Sequence, residues 1–344
     1  MKAVFRSLLV ALLTACLSDV SMFAQDTRTF NVFQFPPDKI PTIDGKAEDW
    51  AIVGKEYAVG MDQLVDNREG VVHQKSNPKD LDVSVIVGWV KGLNRLYFLY
   101  EAYDNYWDFS LPDLNNDIFE LVVDGDRSGG PLISPSHTFK EKMDPMDAYF
   151  SFQGVHAQSY HIYTPAEGKE WAFVWGSQSW IKELPYANAA TNYRFNPGDS
   201  GRLTLEFWIT PFDYAGYEGP KRAVESILTE NKTIGLSWAV IDYDDVNLKG
   251  NHNNNGFWTL SKERKMYGDA SFLFPFRLMP LEDRFLKGIE AKWSFSVVDN
   301  ARRLVAFTDE SDGNITSWKW DLAMGRPRPS STLSTPTKRE GCMS

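Results

Sequence analysis

The chain has 344 residues and a formal net charge of -10, and an acidic balance of this size excludes nucleic acid as the partner, because phosphate binding needs a basic footprint. Aromatics make up 14% of it, with 12 Trp, 14 Tyr and 22 Phe, a density suited to β-rich cores and to surfaces that stack on a ligand. Its 2 Cys, Cys16 and Cys342, supply no disulfide framework for a mature fold, since the first lies in a targeting segment.

Residues 1–24 read as a signal peptide: Lys2 and Arg6 precede SLLVALLTACL, an apolar run too short to span a bilayer as a mature helix. Two processing readings stay open. LTAC at 13–16 resembles a lipobox with Cys16 acylated, which would anchor the chain to a membrane, whereas MFAQ at 22–25 fits ordinary cleavage after Ala24. Either way the expectation is a secreted or cell-envelope protein. No later window carries about 18 consecutive apolar residues.

Beyond the signal, IDGKAEDW predicts a turn and a short helical cap, and DVSVIVGWV and RLYFLYEAY predict a hairpin turning at Lys91, Gly92, Leu93 and Asn94. The stretch 103–130 follows, an aromatic and acidic loop running into NDIFELVVD. Alternating strands continue at HAQSYHIYT, WAFVWG, RLTLEFWITPF and TIGLSWAVIDYDD, with one short helix expected at 223–231. NHNNNGFWTL reads as an amide-rich loop carrying Trp258, and DASFLFPFRLM as a closing strand. With no βαβ alternation, the fold class is all-β: a two-layer antiparallel β-sandwich of jelly-roll or immunoglobulin-like type over 28–280. A charged linker is expected at 281–288 and a partial immunoglobulin-like β domain at 289–322. A Pro, Arg, Ser and Thr tail without apolar periodicity fills 323–344.

Two chemistries are suggested by the residues in 103–130. Trp107, set among Asp104, Asn105, Tyr106 and Asp108, suits stacking on a sugar ring, with Glu120 accepting from its hydroxyls; a core Trp is the other reading. Asp124, Asp126 and Ser128 copy the first half of an EF-hand-type loop, so calcium is one reading of DGDRSGG and a plain strand-ending turn the other. Asp242, Asp244 and Asp245 form a second acidic cluster.

IDGKAEDW, RLYFLYEAYD, NDIFELVVD, LTLEFWITPFD and IGLSWAVIDYDD, in that order, resemble family 9 carbohydrate-binding modules and their DOMON-like relatives. The resemblance implies a sugar-binding sandwich, often calcium-stabilised and working beside secreted glycoside hydrolases, with a glycan or oligosaccharide as ligand. It also implies a ring clamped between Trp107 and Trp258, with Glu120 and Asn255 on the hydroxyls. Ser151 and Gln153 stand where the family carries an Arg and an Asn, and Ala239 where it carries an amide. FSVVDNARRLVAFTDESDGNITSWKWDL is similar to the first half of a PKD domain, which would continue WDFGDG where this chain reads WDLAMG. Re-reading the codons one base earlier permits the family's Gly-Asp-Gly, so 323–344 is expected to be a frameshifted tail.

No GxSxG or HExxH occurs, and a non-catalytic binding protein is the expectation. Two alternatives come from other classes. A glycoside hydrolase would pair Glu120 with Glu206 or Asp242. A haem or redox module would draw an axial ligand from Met146, His156 or His161.

Overall fold

The computed structural model describes residues 28–68, 75–111, 114–132, 153–244, 255–261 and 264–286, and beyond them 288, 291–299, 301, 304–313, 315 and 341–343. Contacts divide the chain into two units: one holds the residues up to Phe33 and Pro41–Met279, the other Gln34–Ile40 and Pro280–Ser344.

The first unit is the expected sandwich. One sheet is built from β2 (Ala58–Gly60), β4 (Leu81–Trp89), β5 (Leu96–Asp104), β10 (Gly201–Ile209) and β9 (Ala187–Tyr193). The other runs β8 (Ala172–Val174), β7 (Gln158–Tyr163), β6 (Ile118–Asp124) and β13 (Thr233–Asp242). The far edge of β13 is shared by two short strands, β15 (Phe274–Leu278) along its first half and β14 (Gly256–Thr259) along its second, and β3 (Val65–Asp66) adds to β14. β1 (Phe30–Gln34) pairs in parallel with β15 and, on its other side, with β4, so it stitches the two sheets together.

Period-two alternation decides what faces what. Val83, Val85 and Val87 of β4, Phe98 and Tyr100 of β5, and Leu205 and Phe207 of β10 point into the sandwich. From the opposite sheet they meet Phe119, Leu121 and Val123 of β6 and Leu236, Trp238 and Val240 of β13. Phe98 stacks on Phe207 within its sheet at 4.6 Å, and Tyr100 reaches across to Phe119 at 4.8 Å; such pairs add ~0.5–1.5 kcal/mol beyond the area they bury.

The two sheets differ on their outer faces. Asp82 and Glu101 face solvent from the β4–β5 sheet, while β6 and β7 are buried at every position. A second cluster explains the difference: Ile118, Val122, Ala239 and Phe257 on the outside of that sheet are covered by Leu132, Met266, Ala270 and Leu273.

Two expected elements differ. The helix at 223–231 is instead β12 (Val224–Glu225), paired with β11 (Phe212–Tyr214), followed by extended chain. Its amides are already taken, Ser226 N donating to Pro211 O and Leu228 N to Asn94 Oδ1, so no helical ladder forms. Trp258 lies on a strand, β14, and not in a loop.

The second unit carries a three-stranded antiparallel sheet, β16 (Trp293–Asp299), β17 (Leu304–Asp309) and β18 (Gly341–Met343). Trp293, Phe295 and Phe307 form its aromatic cluster. The strand expected at ITSWKWDL lies outside the described residues.

Candidate functional site

Glu120 is the point from which the site is built. On β6 its neighbours Phe119 and Leu121 enter the core, so its own side chain leaves by the outer face. Strand register sets one row across that face, since paired residues project to the same side: Thr259 and Ala239 on β14 and β13, Glu120, His161 on β7, then Phe173 on the edge strand β8. His161 Nδ1 stands 2.5 Å from Glu120 Oε1. With the proton on Nδ1, the ring donates to the carboxylate and its Nε2 is left facing outward from the pair.

Around this pair the polar groups are incompletely satisfied. His161 Nε2, Gln153 Oε1, Ser159 Oγ and the Tyr267 hydroxyl are all buried without a hydrogen-bond partner among the described residues. Gln153 Nε2 makes only a long 3.5 Å bond to Tyr267 O. The Tyr267 hydroxyl lies near the Glu120 carboxylate but short of hydrogen-bond geometry; burial first, and the Glu120 charge second, push its pKa well above the usual phenol value. An unmet buried polar atom costs ~1–3 kcal/mol, so four on one face mark either strain or a place for a ligand. Toward β8 the half-buried rings of Phe173 and Trp175 stand edge-to-face, 5.0 Å apart, and Trp175 is perpendicular to His161 at 6.0 Å.

The aromatic clamp expected from the sequence does not assemble here. Trp107 is 1% exposed, stacks flat on Phe195 at 5.0 Å and donates its indole N–H to Gly201 O at 3.0 Å. A ring sealed in this way offers no face to a sugar. Trp258 pairs with Val240, whose side chain enters the core, and follows it there with 7% exposure. Both Trp rings therefore occupy the sandwich interior, on the other side of the sheet from Glu120. Gln153 is at the site, Asn255 is exposed beyond β13 with its Oδ1 accepting from Asp244 N, and Ser151 lies outside the described residues. Ser159, His161, Phe173, Trp175 and Tyr267 are the residues of this face that the expected sugar-binding set lacked.

Neither hydrolase pair survives the geometry. Glu206 projects from the outer face of the opposite sheet, because Leu205 and Phe207 beside it point inward. There its Oε2 accepts from the amides of Asp44, Gly45 and Lys46 at 3.1, 2.8 and 2.9 Å, and its Oε1 from the Trp50 indole at 2.8 Å. Asp242 shares the strand parity of Val240 and so lies on the opposite side of β13 from Glu120. Of the haem candidates, His161 is bound to Glu120, His156 is exposed with Nδ1 against Asp213 O, and Met146 is outside the described residues.

In the DGDRSGG turn, Asp124 Oδ2 accepts from Gly129 N and Asp126 Oδ1 from Ser128 N, which is how a strand-ending turn uses its acids. Asp124 Oδ1 stays buried without a partner among the described residues, and burial, with Asp126 beside it, pushes the Asp124 carboxyl up to about 6. Asp126 and Ser128 are exposed. A depression of about 340 Å³ lined by Asn192, Tyr193, Arg194, Phe195, Arg202 and Thr204 lies along β9 and β10, on the sheet that does not carry Glu120.

No family model matches the chain, and no curated protein does. Among solved structures it is similar to a carbohydrate binding module family 9 (CBM9) from Caldicellulosiruptor kristjanssonii in complex with cellotriose, at 13% identity and TM-score 0.45 over 76% of this chain and all of that one. The glucose complex of a CBM9 from the same organism gives 14% identity and TM-score 0.44 over 74% of this chain and 98% of that one.

Proposed function

We propose that this is a non-catalytic carbohydrate-binding protein whose sugar face is the outer side of the β6–β7 strand pair at Glu120. What carries the reading is the collection of buried, unpartnered polar atoms around the Glu120–His161 pair: His161 Nε2, Gln153 Oε1, Ser159 Oγ and the Tyr267 hydroxyl. Sugar hydroxyls both donate and accept, which is the chemistry these groups lack. The rings of Phe173 and Trp175 supply the apolar contact that a pyranose face prefers. Glu120 accepts and does not transfer a proton in a reaction, because no second carboxylate among those weighed shares its face. The Lys2 and Arg6 flanked apolar segment supports export, with Cys16 as a lipid anchor or Ala24 as a cleavage point, and the sugar reading supports work beside secreted glycoside hydrolases.

Glycan-array binding followed by calorimetry tests this. Glu120→Gln should weaken the best ligand tenfold or more with the melting temperature nearly unchanged, and Trp175→Ala should weaken it several-fold. Wild-type affinity in both variants would move the site elsewhere. Trp107→Ala is no test of stacking, since removing a buried Trp costs ~3–5 kcal/mol of stability.

A further inference from the structure

Five aspartates from both sheets meet at one end of the sandwich. Asp80 precedes β4 and Asp104 ends β5, next to each other because Leu81 pairs with Asp104. Asp117 precedes β6 and Asp242 ends β13, brought together by the pairing of Ile118 with Ile241. Asp244 follows two residues on. Carboxylate oxygens of Asp104, Asp117 and Asp242 lie within 4.8 Å of one another, and so do those of Asp80, Asp242 and Asp244. That spread fits inside the diameter of a calcium shell, whose oxygens stand about 2.3–2.6 Å from the ion.

Proximity of acids alone is no site, and the second observation is where their oxygens go. Three of the five carry hydrogen bonds from neighbouring groups: Asp104 Oδ1 accepts from Tyr106 N at 2.9 Å, Asp80 Oδ1 from Asn105 Nδ2 at 2.5 Å, and both oxygens of Asp117 accept, Oδ2 from Asp108 N at 2.6 Å and Oδ1 from Tyr243 N at 2.8 Å. Among the described residues Asp104 Oδ2 and Asp242 Oδ1 have no partner, although these two are only 2% and 3% exposed, and Asp244 Oδ1 has none either. Arg68, whose charge reaches Asp242 and Asp244, is already forked onto Asp66. Burial and mutual repulsion push the carboxyls of Asp117 and Asp242 well up and that of Asp104 to about 7.

We propose that Asp104, Asp117 and Asp242 hold one hard divalent cation, calcium by their chemistry, with Asp80 and Asp244 at its rim. All donors are oxygen, with no His or Cys among them, which disfavours zinc and copper. Carboxylates arriving from four different strand ends suit calcium's flexible shell better than magnesium's strict octahedron. The site is separate from the Asp124–Asp126–Ser128 turn and independent of the sugar reading.

The test uses full-length protein stripped with chelator, calcium titrated by calorimetry, and melting curves with and without the ion. Wild type should bind calcium and melt higher with it. Asp242→Asn and Asp104→Asn should each weaken calcium at least tenfold, yet melt no lower than stripped wild type, because the repulsion is relieved. Asp124→Asn should keep the wild-type response. A stripped wild type that ignores calcium, a response that survives both Asp242→Asn and Asp104→Asn, or one lost only in Asp124→Asn would overturn the proposal.

Discussion

Glu120 and Glu206 sit on the outer faces of opposite sheets, both buried, and they differ in what surrounds them. Glu206 is saturated, accepting from three consecutive backbone amides and an indole, so the loop 44–46 and Trp50 are clamped to β10. Glu120 has one hydrogen-bonded side chain, His161, and neighbours with unmet capacity. A buried carboxylate whose bonds are complete within the chain is a fastener. One set among orphaned groups has bonds left for something else. The contrast separates structure from site more sharply than residue type or burial does.

The largest effect should come from the fastener. Glu206→Ala leaves four donors without their acceptor and should cost about 4 kcal/mol or more in urea unfolding, while the sugar affinity of the folded fraction stays at wild type. Next in size is a pH effect at the acid cluster. Burial, followed by its charged neighbours Asp244 and Asp80, lifts Asp104 to about 7 in the fold, whereas in the unfolded chain it titrates near 4. Between those values the native state holds more protons than the unfolded one, so stripped protein should lose stability as pH rises from about 4 to 7, by ~2–4 kcal/mol. Urea midpoints in chelator at pH 4.5 and 7.5 measure it, and calcium should flatten the slope. Glu120→Gln follows: a tenfold affinity loss is about 1.4 kcal/mol, with stability changed by less than that. If Glu120→Gln instead destabilised the fold as Glu206→Ala does, the distinction between fastener and site would fail. Of similar size is Gly45→Ala. Gly45 has φ of +80° and a Cβ there would meet the Thr191 backbone at 3.1 Å, so about 1–2 kcal/mol should be lost from the same clamp.

The strands were legible because alternation is a local property. The hairpin turning at 91–94 and the burial of Trp89 and Trp238 follow from it directly, whereas Trp208 shares the outward parity of Glu206 and lies under Arg95. Glu120's outward direction was legible for the same reason. Its partnership with His161 was not, since the register of β6 on β7 joins residues 41 apart and is set by the whole sheet. Trp107 misled because its polar neighbours suggest a wet loop. Asp104 and Asp108 beside it are themselves buried, Asp104 accepting from Tyr106 N and Asp108 from the Ser110 hydroxyl, and say nothing about where the ring lies. Four amides before Gly256 hid β14 in the same way, although Phe257 and Trp258 carry the strand. The acid cluster escaped because its members come from four strand ends that only the fold brings together.

β1 finds its partner in β15, across almost the full length of the sandwich in sequence, and also borders β4. The pairing that joins the sheets therefore cannot form until residues 274–278 have been made and placed. Everything between is a closed loop whose entropy must be lost before that pairing forms. Such a chain should fold slowly and late, with local hairpins such as β4–β5 gaining protection from hydrogen exchange well before β1. Pulse-labelled exchange would then show the amides of 30–34 and 274–278 becoming protected together, as the last step.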